Sequence, residues 1–196
     1  MINYLHKTNA PFFSILICSL YKRNHYLKRL ENILNKQLHN DIEIIYAVDN
    51  GEMSIGDKRN KLLNSTHDNS EFLAFIDDDD LVSENYVSII LNALYQCPDV
   101  VGMMGIMTTD GRNPKTFIHS MQYDHWYESG GIYYRMPNHL NPVRKEYALA
   151  TKFPLINSGE DHDYSNRMFN LLKGKKEIYI PEPIYFYDYR TRKWIL

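Results

Sequence analysis

The run FFSILICS, residues 12–19, is apolar at nearly every position, which suits a strand buried on both faces of a sheet. The next segment changes period. In KRNHYLKRLENILNKQL, Leu27, Leu30, Leu34 and Leu38 recur at i, i+3, i+7 and i+11, which is one face of a helix. A second apolar run, IEIIYAV over 42–48, leads into the turn-rich DNGEMSIG. DKRNKLLNST then predicts a second helix, and EFLAFI, 71–76, a third strand. This β-α-β-α-β order predicts an α/β fold, a mainly parallel sheet covered by helices. In such sheets ligands bind beyond the carboxyl ends of the strands. Asp49 follows the second strand and Asp77, Asp78, Asp79 and Asp80 follow the third, so both groups are expected at one edge.

SENYVSIILNALYQC predicts a helix with Ser83 as N-cap and Val87, Ile90, Leu91 and Leu94 facing inward. DVVGMMGIM reads as another buried strand. Between about 110 and 140 the chain is rich in Tyr, His and Gly, and short antiparallel strands and loops are expected. EDHDYSNRMFNLLKG is again helical, with Tyr164, Met168 and Leu171 on one face and Gly174 as the stop. KEIYIPEPIYFYDYR closes with strand-like segments broken by Pro181 and Pro183. No repeat or low-complexity linker divides the chain, so residues 1–196 are expected to form a single domain.

Composition narrows the classes. At 196 residues with 44% hydrophobic content the chain can bury a sizeable core. A formal charge of −2 supplies no basic field for nucleic acid or anionic membrane. No apolar run approaches the roughly 20 residues of a membrane span, and the first residues lack the succession of a signal peptide. Cys18 and Cys97 offer neither a disulfide framework nor zinc spacing. A soluble, cytoplasmic protein is expected, and the ending TRKWIL is compatible with a domain cut from a longer one.

FIDDDDLVSENY carries the candidate chemistry. Four adjacent carboxylates repel one another and raise each other's pKa unless a cation or water solvates them. Hard divalent cations prefer carboxylate oxygens and commonly bind together with phosphates. A solvated acidic turn is the alternative. For Asp49 and Asn50 the alternative is a plain Asp-Asn-Gly turn.

Taken in order, SILICSLYKR, IEIIYAVDNG, GDKRNKLL, FLAFIDDDDLVSENY and GEDHDYSNRM resemble an inverting nucleotide-sugar glycosyltransferase of the A type (GT-A, Rossmann-like). They are similar to the large family that includes cellulose and chitin synthases and small bacterial and viral sugar transferases. The resemblance runs from residue 12 to about 172. It implies a nucleotide-sugar-binding half over 12–108, an acceptor and catalytic half over 109–196, and transfer from a nucleoside-diphosphate sugar, UDP by preference, to a hydroxyl, with a glycan as the expected acceptor. It places a metal-binding Asp-x-Asp on Asp77 to Asp79, with Asp79 the direct ligand of Mn²⁺ or Mg²⁺ and Asp77 beside it. Asp78 then meets the sugar or ribose, and Asp49 and Asn50 hold the base and ribose. Lys58, Arg59 and Asn60 match an element whose Arg lies near the nucleotide or supports the metal loop, and an exposed helical face is the other reading. Asp80, outside the minimal motif, is a candidate cap for the next helix.

The same resemblance makes Asp161, in the Glu160-Asp161 pair, the base that deprotonates the acceptor. Two alternatives stand: the spacing from Ser158 would suit a helix cap, and Asp163 is a rival base, although Arg167 four residues on should pair with it. His139 and Arg144 are expected to frame the site, and His125, Trp126 and Tyr127 are candidates for a stacking platform. One departure from the family stands out: no histidine follows His162, and IYFYDYR offers aromatic residues where some relatives supply a late histidine. Two other functions compete. A nucleotidyltransferase on the related fold would want a Gly-rich loop where CSLYKRN has no glycine. A non-catalytic sugar- or nucleotide-binding module would have no use for intact carboxylates at Asp77, Asp79, Glu160 and Asp161.

Overall fold

The computed structural model describes residues 1–190. The apolar run after residue 12 forms β2 (Phe13–Leu20), preceded by β1 (Ile2–His6), a strand the hydrophobic pattern does not announce. A 3₁₀ turn leads into α1 (Asn24–Leu34), followed by β3 (Ile42–Asp49), α2 (Ile55–Leu63) and β4 (Phe72–Phe75). Next come β5 (Leu81–Val82), α3 (Tyr86–Leu94), β6 (Val100–Thr109) and β7 (Arg112–His119). The remainder is β8 (Tyr127–Ser129), β9 (Ile132–Arg135), β10 (Val143–Arg144), α4 (Lys145–Thr151), α5 (Glu160–Leu172) and β11 (Glu177–Tyr189).

All strands belong to one sheet in the order β1-β3-β2-β4-β10-β6-β7-β9-β8, with β11 alongside β6 and β5. β2 runs parallel to both β3 and β4, so the expected βαβαβ core is present. Its double-sided burial is visible residue by residue. Phe13, Ile15 and Ile17 of β2 join one hydrophobic cluster with Leu27, Leu30 and Leu34 of α1 and the inner face of α3. Leu16 and Cys18 point the other way, into a second cluster with Leu62 and Leu63 of α2 and Tyr164, Met168 and Leu172 of α5. Alternation of side chains along a strand then demands apolar residues on both parities, which is why the run is continuous.

Several local expectations change. Leu38 lies beyond the end of α1 and is exposed, and on α5 the inward residue is Leu172, not Leu171. Ser83 does not cap α3, whose N-cap position is Asn85. Asp80 is followed by β5 rather than a helix and caps nothing. Pro181 and Pro183 do not break the last segment into pieces: β11 is one strand of 13 residues that pairs in parallel with β6 and absorbs register shifts around Pro183. In the 110–140 region β8 and β9 are antiparallel as expected, but β7 and β9 are parallel.

α2 is stitched to the loop that leads into α5. Asn60 donates to the Phe153 carbonyl and accepts from its N–H, both at 2.8 Å, and Ile55 N–H reaches Asn157 Oδ1 at 3.0 Å. Gly56 makes the approach possible, since a Cβ there would lie 1.8 Å from the backbone oxygen of Pro154. Gly56→Ala is therefore expected to push the loop off the helix and to lower stability by about 1–3 kcal/mol, as overpacking does, measured by urea denaturation.

Candidate active site

The parallel order of β2, β3 and β4 brings the ends of all three strands to one edge, where Ser19, Asp49 and Asp77 to Asp80 meet. The four aspartates do not share one environment. Asp77 accepts from Arg59 at 3.0 Å, and His139 Nε2 lies 3.3 Å from its other oxygen. Asp78 is buried, with Ser19 Oγ at 2.6 Å and the Arg23 guanidinium at 2.5 to 3.1 Å. Asp79 keeps 28% of its side chain open and meets Arg23 at 2.9 Å. Asp80 is buried and accepts from the Tyr185 hydroxyl at 2.7 Å, which itself accepts from the Asp77 N–H.

These surroundings drive the carboxyl groups apart in acidity. Burial alone would raise Asp77, but the charges of His139 and Arg59 hold it below the usual carboxylate range. Burial raises Asp78 against the opposing pull of Arg23. Asp80 is pushed well above its ordinary value by burial and by the neighbouring charge of Asp77.

Arg59, from α2, is 3% exposed and donates to Asp77 and, at 2.7 Å, to Glu160 Oε1 at the start of α5. Its guanidinium also lies 3.0 Å from His139 Nε2 and packs over the rings of Phe75 and Phe153. Lys58, one residue earlier, is equally buried; its ammonium bonds Asp49 Oδ1 at 2.6 Å and the Ser19 carbonyl at 2.7 Å. Asp49 also accepts from the N–H groups of Gly51 and Met53, closing the turn, and its pKa is lowered by Lys58 and these N–H groups against the opposing effect of burial. Asn50 is exposed and bonds Glu52. Lys58, Arg59 and Asn60 are thus inward-facing ties, not an exposed helical face.

The acidic start of α5 divides in the same way. Glu160 faces Arg59, Asp163 pairs with Arg167 (Nε to Oδ2 2.8 Å), and Asp161 lines a cavity together with Asp77, His139, His119, Arg135 and Tyr187. The N-cap position is Gly159 at φ +82°, without a side-chain cap, so Ser158 and Asp161 form no capping box. Asp161 accepts the next backbone N–H, that of His162, at 2.8 Å.

His139 is in the site as expected, but Arg144 is not. It sits at the opposite end of β4, stacked on Phe72 and near Glu71 and Asp99. Of the aromatic trio, Trp126 packs against His162 and under Arg135, while His125 is exposed next to Asp124 and Tyr127 stacks on Tyr134. Sequence reasoning passed over Arg23, Ser19, Arg135, Tyr185 and Tyr187. The signal for the tyrosines was present in IYFYDYR: the aromatic residues that stand where a late histidine was missed are the ones that reach the acidic turn and the cavity.

Carboxylate oxygens of Asp77 and Asp79 are the donor set a hard cation prefers, and both side chains keep open surface, 36% and 28%. Among the described residues no group of three or more His, Cys, Asp or Glu side chains is gathered to hold a metal ion, so oxygens of a ligand and water would have to complete its shell.

No family model and no curated protein sequence matches the chain. Solved structures do. S. aureus TarS 1–349 in complex with UDP-GlcNAc superposes with a TM-score of 0.67 at 17% identity, over 92% of this chain and 59% of that one. The same TarS region in complex with UDP gives 0.65 at 16% identity, over 90% and 60%. The fold is accordingly that of the A-type glycosyltransferases. The chain spans about three-fifths of those TarS chains and 36% of a longer TarS structure.

Arg59→Met leaves Asp77 and Glu160 without their shared cation. Breaking a buried pair in this way is expected to cost about 3–5 kcal/mol in urea denaturation at neutral pH. A depressed Asp77 pKa adds stability above the unfolded-state value, near 4, which is lost as pH falls through the folded-state value. The difference between wild type and Arg59→Met is therefore expected to shrink as the pH is lowered below about 4.

Proposed function

We propose that this chain transfers a sugar from a nucleoside diphosphate, UDP by preference, to a hydroxyl of a glycan acceptor, with inversion at the sugar C1. The observation that carries this reading is that Asp161 lines one cavity with Asp77 while its acidic neighbours are engaged elsewhere, Glu160 by Arg59 and Asp163 by Arg167. The A-type fold and the UDP-GlcNAc and UDP bound to TarS support a uridine donor. No helix among the described residues is long and apolar enough to cross a membrane, and two free cysteines are compatible with a reducing, cytoplasmic setting.

In this reaction the acceptor oxygen forms its bond to C1 as the bond from C1 to the diphosphate oxygen breaks, and the electron pair leaves on the diphosphate. Asp161 takes the acceptor proton. A neutral acid in its place could not, and a positioned base is worth roughly 10²–10⁴ in rate. A Mn²⁺ or Mg²⁺ ion bound by Asp79 with Asp77 would supply positive charge to the departing diphosphate. The turn from Asp49 to Met53, closed by Lys58, borders the base and ribose. Arg59 and Asp78, both buried, fix the acidic turn from behind. Residues 12–108 hold the nucleotide, and 109–196 carry the catalytic carboxylate and the acceptor side.

Hydrolysis of a panel of nucleotide sugars with Mn²⁺, followed by transfer to glycan acceptors, tests the function directly; no turnover of any member would refute it. Asp161→Asn is expected to keep donor binding and melting temperature while losing transfer by roughly 10²–10⁴. Asp163→Asn should keep most of its activity, and the reverse ranking would move the base to Asp163.

Metal dependence has its own measurement. Calorimetry of UDP binding is expected to show tighter binding with Mn²⁺ than without it, and Asp79→Ala should abolish that difference at little cost in stability, because the ion pair it loses to Arg23 is partly exposed and Asp78 still holds that guanidinium. A metal effect of unchanged size in the variant would remove Asp79 from the ligand set.

A further inference from the structure

His119 ends β7 and is 1% exposed, and its ring lines the cavity shared by Asp77 and Asp161. Its protonation is readable from its neighbours. Asn141 donates its amide N–H to the Val101 carbonyl at 2.9 Å, which leaves Oδ1 as the acceptor, and Oδ1 indeed receives the Asn138 N–H at 3.0 Å. The His119 Nδ1 that lies 3.1 Å from this oxygen must therefore carry a proton. Burial, reinforced by the charge of Arg135, pushes the imidazole down to about 3, so the ring is neutral at physiological pH. A neutral ring protonated at Nδ1 presents a bare lone pair at Nε2.

That Nε2 is buried and has no hydrogen-bond partner among the described residues. A buried acceptor without a donor costs free energy, and it recovers that cost when a ligand supplies an N–H or O–H. Arg135 and Tyr187 also line the cavity and carry donors, but neither bonds this nitrogen, and the ionised carboxylates there cannot donate. A sugar, whose rim is made of hydroxyl groups, can.

We propose that His119 is a specificity-determining residue of the donor-sugar site, its Nε2 accepting a hydrogen bond from a hydroxyl of the transferred sugar. The inference rests on the nucleotide-sugar reading above and extends it to the floor of the cavity. The Asn138–Asn141 turn is the device that sets the tautomer, so a sugar whose hydroxyl at this position is missing leaves a buried acceptor unpaired and is rejected.

The test compares UDP with UDP-GlcNAc, UDP-glucose and UDP-galactose by calorimetry on wild type and His119→Phe, and follows the imidazole ¹⁵N signals of wild type by NMR. His119→Phe is expected to bind UDP as wild type does and the tightest-binding UDP-sugar about tenfold more weakly. The Nε2 resonance should shift on adding that UDP-sugar and stay in place with UDP, a readout that does not depend on how well the variant folds. Unchanged UDP-sugar affinity in the variant, or an Nε2 signal indifferent to the sugar, overturns the proposal. So does a defect confined to the transfer step, which would put the hydroxyl on the acceptor. If wild type binds neither UDP nor any UDP-sugar, the nucleotide-sugar reading fails first and this inference falls with it.

Discussion

One guanidinium holds the active edge together. Arg59 lies between Asp77 and Glu160 with almost no access to water, and each carboxylate belongs to a different segment of the chain. A buried cation is expensive unless it is paired, and the two terminal nitrogens of this one meet their carboxylates only when α2, the turn after β4 and the first turn of α5 are all in place, while its Nε has no hydrogen-bond partner among the described residues. The aromatic faces of Phe75 and Phe153 then pack against the remainder of the group. The pair is thus a constraint on geometry first. It couples the turn after β4 to the helix that carries Asp161.

The same constraint explains how four consecutive aspartates are tolerated. Their charges are distributed rather than pooled: Asp77 toward Arg59, Asp78 toward Arg23 and Ser19, Asp80 toward a tyrosine hydroxyl, with Asp79 shared between Arg23 and open surface. Repulsion that would oppose folding is offset locally by two arginines, and the carboxyl without a cation, Asp80, has its pKa raised by burial and by the charge of Asp77. Asp77 and Asp79 are the two that also keep open surface on the turn.

Helix geometry makes a comparable separation at α5. Residues two apart on a helix point about 200° away from one another, so Asp161 and Asp163 cannot serve the same face. Arg167, one turn beyond Asp163, occupies it, and Asp161 is left to the cavity. The Trp126 ring packs against His162 and under Arg135, which itself lines the cavity.

The βαβαβ core is legible in the chain alone, because a strand buried on both faces is apolar at nearly every position and that pattern is local. So is the edge shared by Asp49 and the four aspartates, since parallel strands end on the same side. The i to i+4 pairing of Asp163 with Arg167 was legible for the same reason. Only the tertiary structure decided which charges meet. Arg23 finds Asp78 across 55 positions of chain and Arg59 finds Glu160 across 101, separations over which no periodicity carries information. β1 and the long parallel pairing of β11 with β6 were decided there too, because strand partners are chosen by the neighbouring edge that remains unpaired, and a short, half-exposed or proline-interrupted segment does not name that neighbour in its own residues.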